Sequence, residues 1–179
     1  GAPVVDTIRR MSYGDLQTMF DSTNPPGPWY YRTGYLTGEQ VLGDDFIDLL
    51  LGQTNFPSPS PLSRIFIEHL GGAVARVPAD ATAFVHRAAP FDLIVIAGGF
   101  PPEDTEKNFA WARGVSSAMR PFMSGGAYVN YLGADADADA VRTAYGPAWD
   151  RLVALKTRYD PDNVFHLNQN IRPATPART

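Results

Sequence analysis

Proline and glycine interrupt this chain so often, sixteen of each among 179 residues, that no regular element can run long. Proline removes a backbone donor and glycine loosens the chain, so each cluster of them ends what precedes it. Such punctuation favours short elements in an α+β arrangement over a helical bundle. Between the breaks the apolar spacing names the elements. Tyr13, Leu16 and Phe20 recur at near-helical spacing before the breaker STNPPGP. Trp29 to Leu36 is aromatic and β-prone, a strand with Gly34 marking a bulge. Residues 38–54 place Val41, Leu42, Phe46, Leu49 and Leu50 on one helical face. Ser63 to Gly72 alternates as a strand, Val74 to Phe84 continues extended, and Phe91 to Ala97 is a strongly apolar strand. Acidic residues then open a helix carrying Phe109, Ala112 and Val115 to Met119, which Pro121 stops. The stretch 125–133 reads as a strand between glycines, and helix, Gly-Pro break and helix follow, the last with Trp149, Leu152, Val153 and Leu155 as its apolar set. This order predicts a largely antiparallel sheet flanked by helices on one face.

The net charge of −4 and pI of about 5.2, with basic residues scattered, argue against a nucleic-acid partner. No apolar run approaches the ~20 residues of a membrane span, so no membrane partner is expected, and the opening GAPVVDTIRR lacks a signal-peptide pattern. The sequence contains no cysteine, which excludes disulfides, thiolate metal sites and cysteine nucleophiles. Nothing in it fixes a cellular location.

Polar constellations stand out against this background. Near the end, Asn168, Gln169 and Asn170 sit between Phe165 and Ile171. Three neutral amides in a row suit a ligand whose rim mixes carbonyls and ring nitrogens, or a polar surface tail anchored by Phe165. Tyr128 and Tyr131 flank Asn130; in a strand, alternation puts Tyr128 and Asn130 on one face and Tyr131 on the other. A phenol serves as a base only where neighbours stabilise its phenolate. His86-Arg87 reads as structural, and His69 beside Glu68 as a solvated edge pair rather than an acid–base couple. ADADADA imitates the start of a calcium loop, but Ala140 stands where glycine is required and Gly146 where the bidentate glutamate belongs. No metal site is predicted.

Seven segments in register resemble the C-terminal portion of the berberine-bridge-enzyme-like FAD-linked oxidases, in the vanillyl-alcohol oxidase and p-cresol methylhydroxylase superfamily. They are Met11 to Gln17 with Phe20-Asp21; Trp29-Tyr30-Tyr31-Arg32; Gly71-Gly72; Phe84-Val85-His86-Arg87; Ala127 to Tyr131; Tyr145-Gly146 with Trp149, Arg151-Leu152 and Leu155-Lys156; and Tyr159-Asp160-Pro161 through Phe165 to Asn168-Gln169-Asn170-Ile171.

The resemblance implies a substrate-binding domain over residues 1–158 and a C-terminal segment over 159–179 that docks on a separate FAD-binding domain. The sheet would roof the isoalloxazine ring of FAD, a cofactor gripped mainly by protein absent from this chain. Tyr128 or Tyr131 would take a hydroxyl proton while hydride passes to flavin; Asn130 and Asp92 would bind substrate; Asn168, Gln169 and Asn170 would touch the cofactor. The implied activity is oxidation of a small alcohol, sugar or phenolic substrate, absent without the FAD-binding domain or chain. The alternative is a stand-alone binding module, or a homodimer whose self-association covers an exposed sheet face.

Overall fold

The computed structural model describes residues 2, 4, 6, 8–36, 41–55, 58–99, 101–133 and 135–175, without the side chains of 53–55. Three strands form its sheet: β1 (Trp29–Leu36), β2 (Arg64–His69) and β3 (Phe91–Gly98). Both outer strands pair antiparallel with β3, in the order β1-β3-β2. The helices are α1 (Tyr13–Thr18), α2 (Asp44–Asn55), α3 (Ala73–Arg76), α4 (Thr105–Met119), α5 (Ala138–Tyr145) and α6 (Trp149–Tyr159).

β3 is central because its apolar run can be buried on both sides. One side carries Leu93, Val95 and Ala97, joined by Tyr30 and Leu36 of β1, and meets Ala112, Val115 and Met119 of α4 and Phe46 of α2. Tyr30 stacks on Phe109 of α4 at 4.0 Å. This is the helix-covered face, and it holds the core. The other side carries Asp92, Ile94 and Ile96. Ile94 lies between Thr33 and Phe66, and Ile96 between Tyr31 and Arg64. Both isoleucines are buried between these flanking strands, although Phe66 and Glu68 on the same side are exposed. The α+β sheet with helices on one face is therefore as the sequence predicts.

Four local expectations differ from the structure. Residues 127–133 do not form a strand. The chain touches the end of β1 through a Leu36–Met123 bridge and the Ser124 N–H donating to Tyr35. Gly126 then takes φ +102 and turns the backbone away. Val129–Tyr131 closes instead as a 3-10 turn. Val74 to Phe84 is not extended either: Gly72, at φ +66, ends the path of β2 and leads into the one-turn α3. Gly34 makes no bulge, since the β1–β3 register runs unbroken through Gly34 opposite Leu93. Its role is clearance, because a Cβ there would lie 2.8 Å from Met123 Sδ. Finally, α2 starts at Asp44, and Leu42 is an exposed turn residue at φ +70 rather than part of its apolar face. The first residues of that predicted helix, 38–40, lie outside the described residues.

Leu93 sits fully buried at the centre of this arrangement. Leu93→Ala is expected to cost about 3 kcal/mol, through lost transfer energy plus a cavity that a central strand cannot collapse. Urea unfolding checks this, and a change near zero would show that α4 does not seal the face.

Candidate functional site

Antiparallel pairing places residues opposite one another on the same side of a sheet. Asp92 is opposite Tyr35 on one neighbour and Glu68 on the other, so the three form a row across the side that α4 does not cover. Asp92 is 1% exposed. Its Oδ1 accepts a 2.8 Å hydrogen bond from the Thr33 hydroxyl. Burial pushes its carboxyl up to about 6, and the Glu68 charge adds to the rise, while Thr33 and the backbone at Gly34 work against it. Tyr35 is fully buried, and its hydroxyl has no hydrogen-bond partner among the described residues. Burial raises that phenol too, with the charge of Asp92 and then Tyr128 contributing.

The turn that replaces the expected strand brings the two candidate tyrosines together. Their rings meet edge to face at 5.2 Å, where strand alternation would have parted them. Asn130 Nδ2 donates to Tyr128 Oη at 2.8 Å. Tyr131 stacks over Tyr31 of β1 at 6.0 Å, and its hydroxyl donates to Glu68 Oε1 at 3.5 Å. Burial, Glu68, Asp92 and Tyr128 all raise the Tyr131 phenol. It is thus a protonated donor facing a carboxylate, not a preformed phenolate. Phe84 meets Tyr128 at 5.7 Å and Tyr35 at 6.3 Å, which closes an aromatic wall. A cleft of about 290 Å³ opens here, lined by Tyr35, Glu68, Phe84, Arg87, Asp92 and Tyr128. Asp92, expected to bind substrate, therefore meets Tyr128, whereas Asn130 faces a neighbouring cleft.

That larger cleft, about 890 Å³, is lined by Asn130, Tyr145, Asn168 and Gln169 among others. Gln169 donates to the carbonyl of Leu132 at 3.1 Å and so holds the tail against the tyrosine turn. Asn168 takes φ +57, a conformation that asparagine tolerates better than most residues. Asn170 has a buried Oδ1 with no donor among the described residues. The amides are therefore divided: one secures the tail, and two offer polar atoms beyond it.

His86 stacks on Tyr35 at 4.3 Å and its Nε2 lies 3.1 Å from the carbonyl of Ala144. Burial lowers its pKa, as suits a structural histidine. His69 and Glu68 are adjacent in β2 and so face opposite ways, with His69 against Phe91. The aspartates of the ADADADA stretch are engaged separately. Asp135 receives Arg32 at 2.7 Å and the Tyr30 hydroxyl at 2.9 Å, Asp137 caps α5 through Ala140 N–H, and Asp139 lies in the first turn of that helix. Among the described residues no group of three or more His, Asp or Glu side chains could hold a metal ion.

Sequence reading did not select Glu68 or Tyr35. The signal existed in the alternation of both strands, but only the register across β3 aligns them with Asp92.

A family description, berberine and berberine-like, matches residues 127–172, from the tyrosine turn to the tail. Over 97% of its length the chain is 31% identical to an FAD-linked oxidoreductase of Dictyostelium discoideum, of which it spans 37%. Its fold is similar to that of Physcomitrella patens BBE-like 1, with a TM-score of 0.71 at 24% identity over 87% of this chain and 33% of that one. A glycopeptide hexose oxidase, solved in complex with teicoplanin, gives 0.67 at 26% identity over 82% of this chain and 33% of that one. The chain thus spans about a third of the proteins it matches.

The carboxyl of Asp92 sits at about 6 when folded against an ordinary 3.8. The folded state therefore binds the proton more tightly, and stability falls as pH rises between those values. The expected loss is up to about 3 kcal/mol, and Asp92→Asn, which keeps an acceptor for Thr33, should not show it. Paired urea titrations at pH 3.5 and 7.5 measure the difference between the two proteins, and a pH-independent difference would refute the assignment.

Proposed function

Because this chain is of the berberine bridge enzyme-like, FAD-linked type, we propose that it is the substrate-binding part of an oxidoreductase acting on an alcohol, sugar or phenolic substrate, with FAD held mainly by protein outside these 179 residues. The hexose oxidase among the similar structures supports a hydroxyl-bearing substrate. The observation that carries the reading is the convergence of Tyr128, Tyr131, Glu68 and Asp92 on the side of the sheet that α4 leaves uncovered. A structural cluster would be sealed by apolar packing. Here Glu68 and Phe66 remain exposed.

The residues fit the flavin group on two counts. The exposed, aromatic side of the sheet offers a flat surface, and Asn170 Oδ1 is a buried acceptor lacking a donor. Asn168 and Asn170 would hold the polar rim of FAD, while Gln169 anchors the tail. Bound FAD supplies the hydride acceptor. The chain's own residues handle the proton. Tyr131 Oη takes it from the substrate hydroxyl as its own proton passes to Glu68 Oε1, so no free phenolate forms beside the carboxylates. Tyr128, fixed by Asn130, orients the ring of Tyr131.

The same reading gives the exposed tail a purpose. Phe165 is 80% and Leu167 81% exposed, a cost that docking on the flavin-binding part would recover.

In the assembly with its flavin-binding part, Tyr131→Phe and Glu68→Gln should each slow flavin reduction by about 10²-fold, read by stopped-flow absorbance. Rates equal to the parent's in both variants would remove the proton path. Phe165→Ser combined with Leu167→Ser should weaken association with the flavin-binding part by about tenfold or more without lowering the stability of this chain. Unchanged affinity in a pull-down titration would return the tail to a solvent role.

A further inference from the structure

We infer that the 290 Å³ cleft beside the tyrosine pair binds a protonated amine, which makes the favoured substrate an amino alcohol, its hydroxyl at Tyr131 and its ammonium group in the cleft. The inference rests on the substrate-binding reading of this side of the sheet and adds a chemical class to it. Two carboxylates line the cleft, Glu68 at its mouth and Asp92 on its floor. Asp92 accepts from the Thr33 hydroxyl at Oδ1 and from the Gly34 backbone, and the Tyr35 hydroxyl, without a partner among the described residues, lies in the lining of the same cleft, fully buried. A buried hydroxyl without a partner is costly unless a ligand supplies one.

The walls select among ligands that could do so. Phe84, Tyr128 and Tyr35 present aromatic rings around the carboxylates. Rings and carboxylates both favour a cation, whereas a neutral hydroxyl can bond a carboxylate but gains no charge pairing and little from the rings. An ammonium group has three donors, enough for Asp92, Glu68 and the oxygen of Tyr35. Arg87, the one cation lining the cleft among the described residues, does not compete strongly. Arg87 is drawn to the carbonyls of Val74 and Phe84 and to the Thr82 hydroxyl, and its guanidinium lies over the Phe84 ring at 4.7 Å. Two carboxylates thus face one guanidinium that is already hydrogen-bonded.

The test compares two probes of nearly equal shape, trans-2-aminocyclohexanol and trans-cyclohexane-1,2-diol, by titration calorimetry on the chain at pH 7.5. The amino alcohol should bind about tenfold or more tighter than the diol. Glu68→Gln, an exposed and structurally safe change, should erase most of that preference, as should Asp92→Asn and Tyr35→Phe where they fold. Equal binding of the probes, no binding of the amino alcohol, or a preference that survives Glu68→Gln would overturn the inference. The oxidase reading fails separately: it is lost if no hydroxyl compound reduces flavin in the assembly, whichever probe this chain prefers.

Discussion

Everything in this structure depends on the double burial of β3. A central antiparallel strand with apolar residues at nearly every position must be covered on both sides. The chain solves the two sides differently. Towards α4 it uses ordinary helix-on-sheet packing, with Leu93, Val95 and Ala97 against Ala112, Val115 and Met119. On the other side, Ile94 and Ile96 are buried between Thr33 and Tyr31 of β1 and Phe66 and Arg64 of β2. That second solution protects the strand without sealing the sheet, and it leaves a broad aromatic surface to which a ligand can come.

Asp92 marks where that solution is incomplete. A carboxylate on a buried strand costs free energy at neutral pH, and hydrogen bonds from the Thr33 hydroxyl and the Gly34 backbone offset only part of it. Apolar residues of similar size would make a more stable sheet. Real proteins keep such conflicts where function needs them, and the neighbours of Asp92 are a second carboxylate, an unpartnered phenol and a tyrosine pair. Destabilising polar groups have been gathered at one end of an otherwise well-packed sheet. Their concentration is better evidence of a working site than any one of them.

Much of this was legible from the sequence, for identifiable reasons. β3 and α4 were readable because periodicity and breakers agree: the run from Phe91, the acidic start of the helix and Pro121 at its stop. The resemblance to berberine-bridge-enzyme-like proteins was readable because several weak signatures fell in order. The tyrosine turn was not, since Ala127-Tyr128-Val129-Asn130-Tyr131 has the composition of a strand and only the backbone at Gly126 decides otherwise. That one dihedral changes the chemistry. Alternation would have sent one tyrosine away from the other, whereas the turn brings their rings edge to face, with Tyr128 lining the cleft and Tyr131 reaching Glu68 beside it. Glu68 was legible only as a solvated edge partner of His69, because it joins the candidate site through its partner across β3 rather than through any neighbour in the chain.

The tail is held in place by local electrostatics. Asp160 ends α6, and its carboxylate accepts from Lys156 and from the backbone N–H groups of Val164 and Phe165, bonds that hold it below the usual carboxylate range despite some opposing burial. Lys156 also reaches the carbonyl of Phe165. Thr157 receives the N–H of Ala174 at 2.8 Å, and Gln169 reaches back to Leu132. These contacts fix the backbone at both ends of the segment while Val164, Phe165 and Leu167 point outward. A free tail would bury its apolar side chains or lose its fixed shape. This one is tied down by polar bonds while its apolar side chains stay exposed. The amides follow directly after Leu167, and Gln169 ties them to the tyrosine turn.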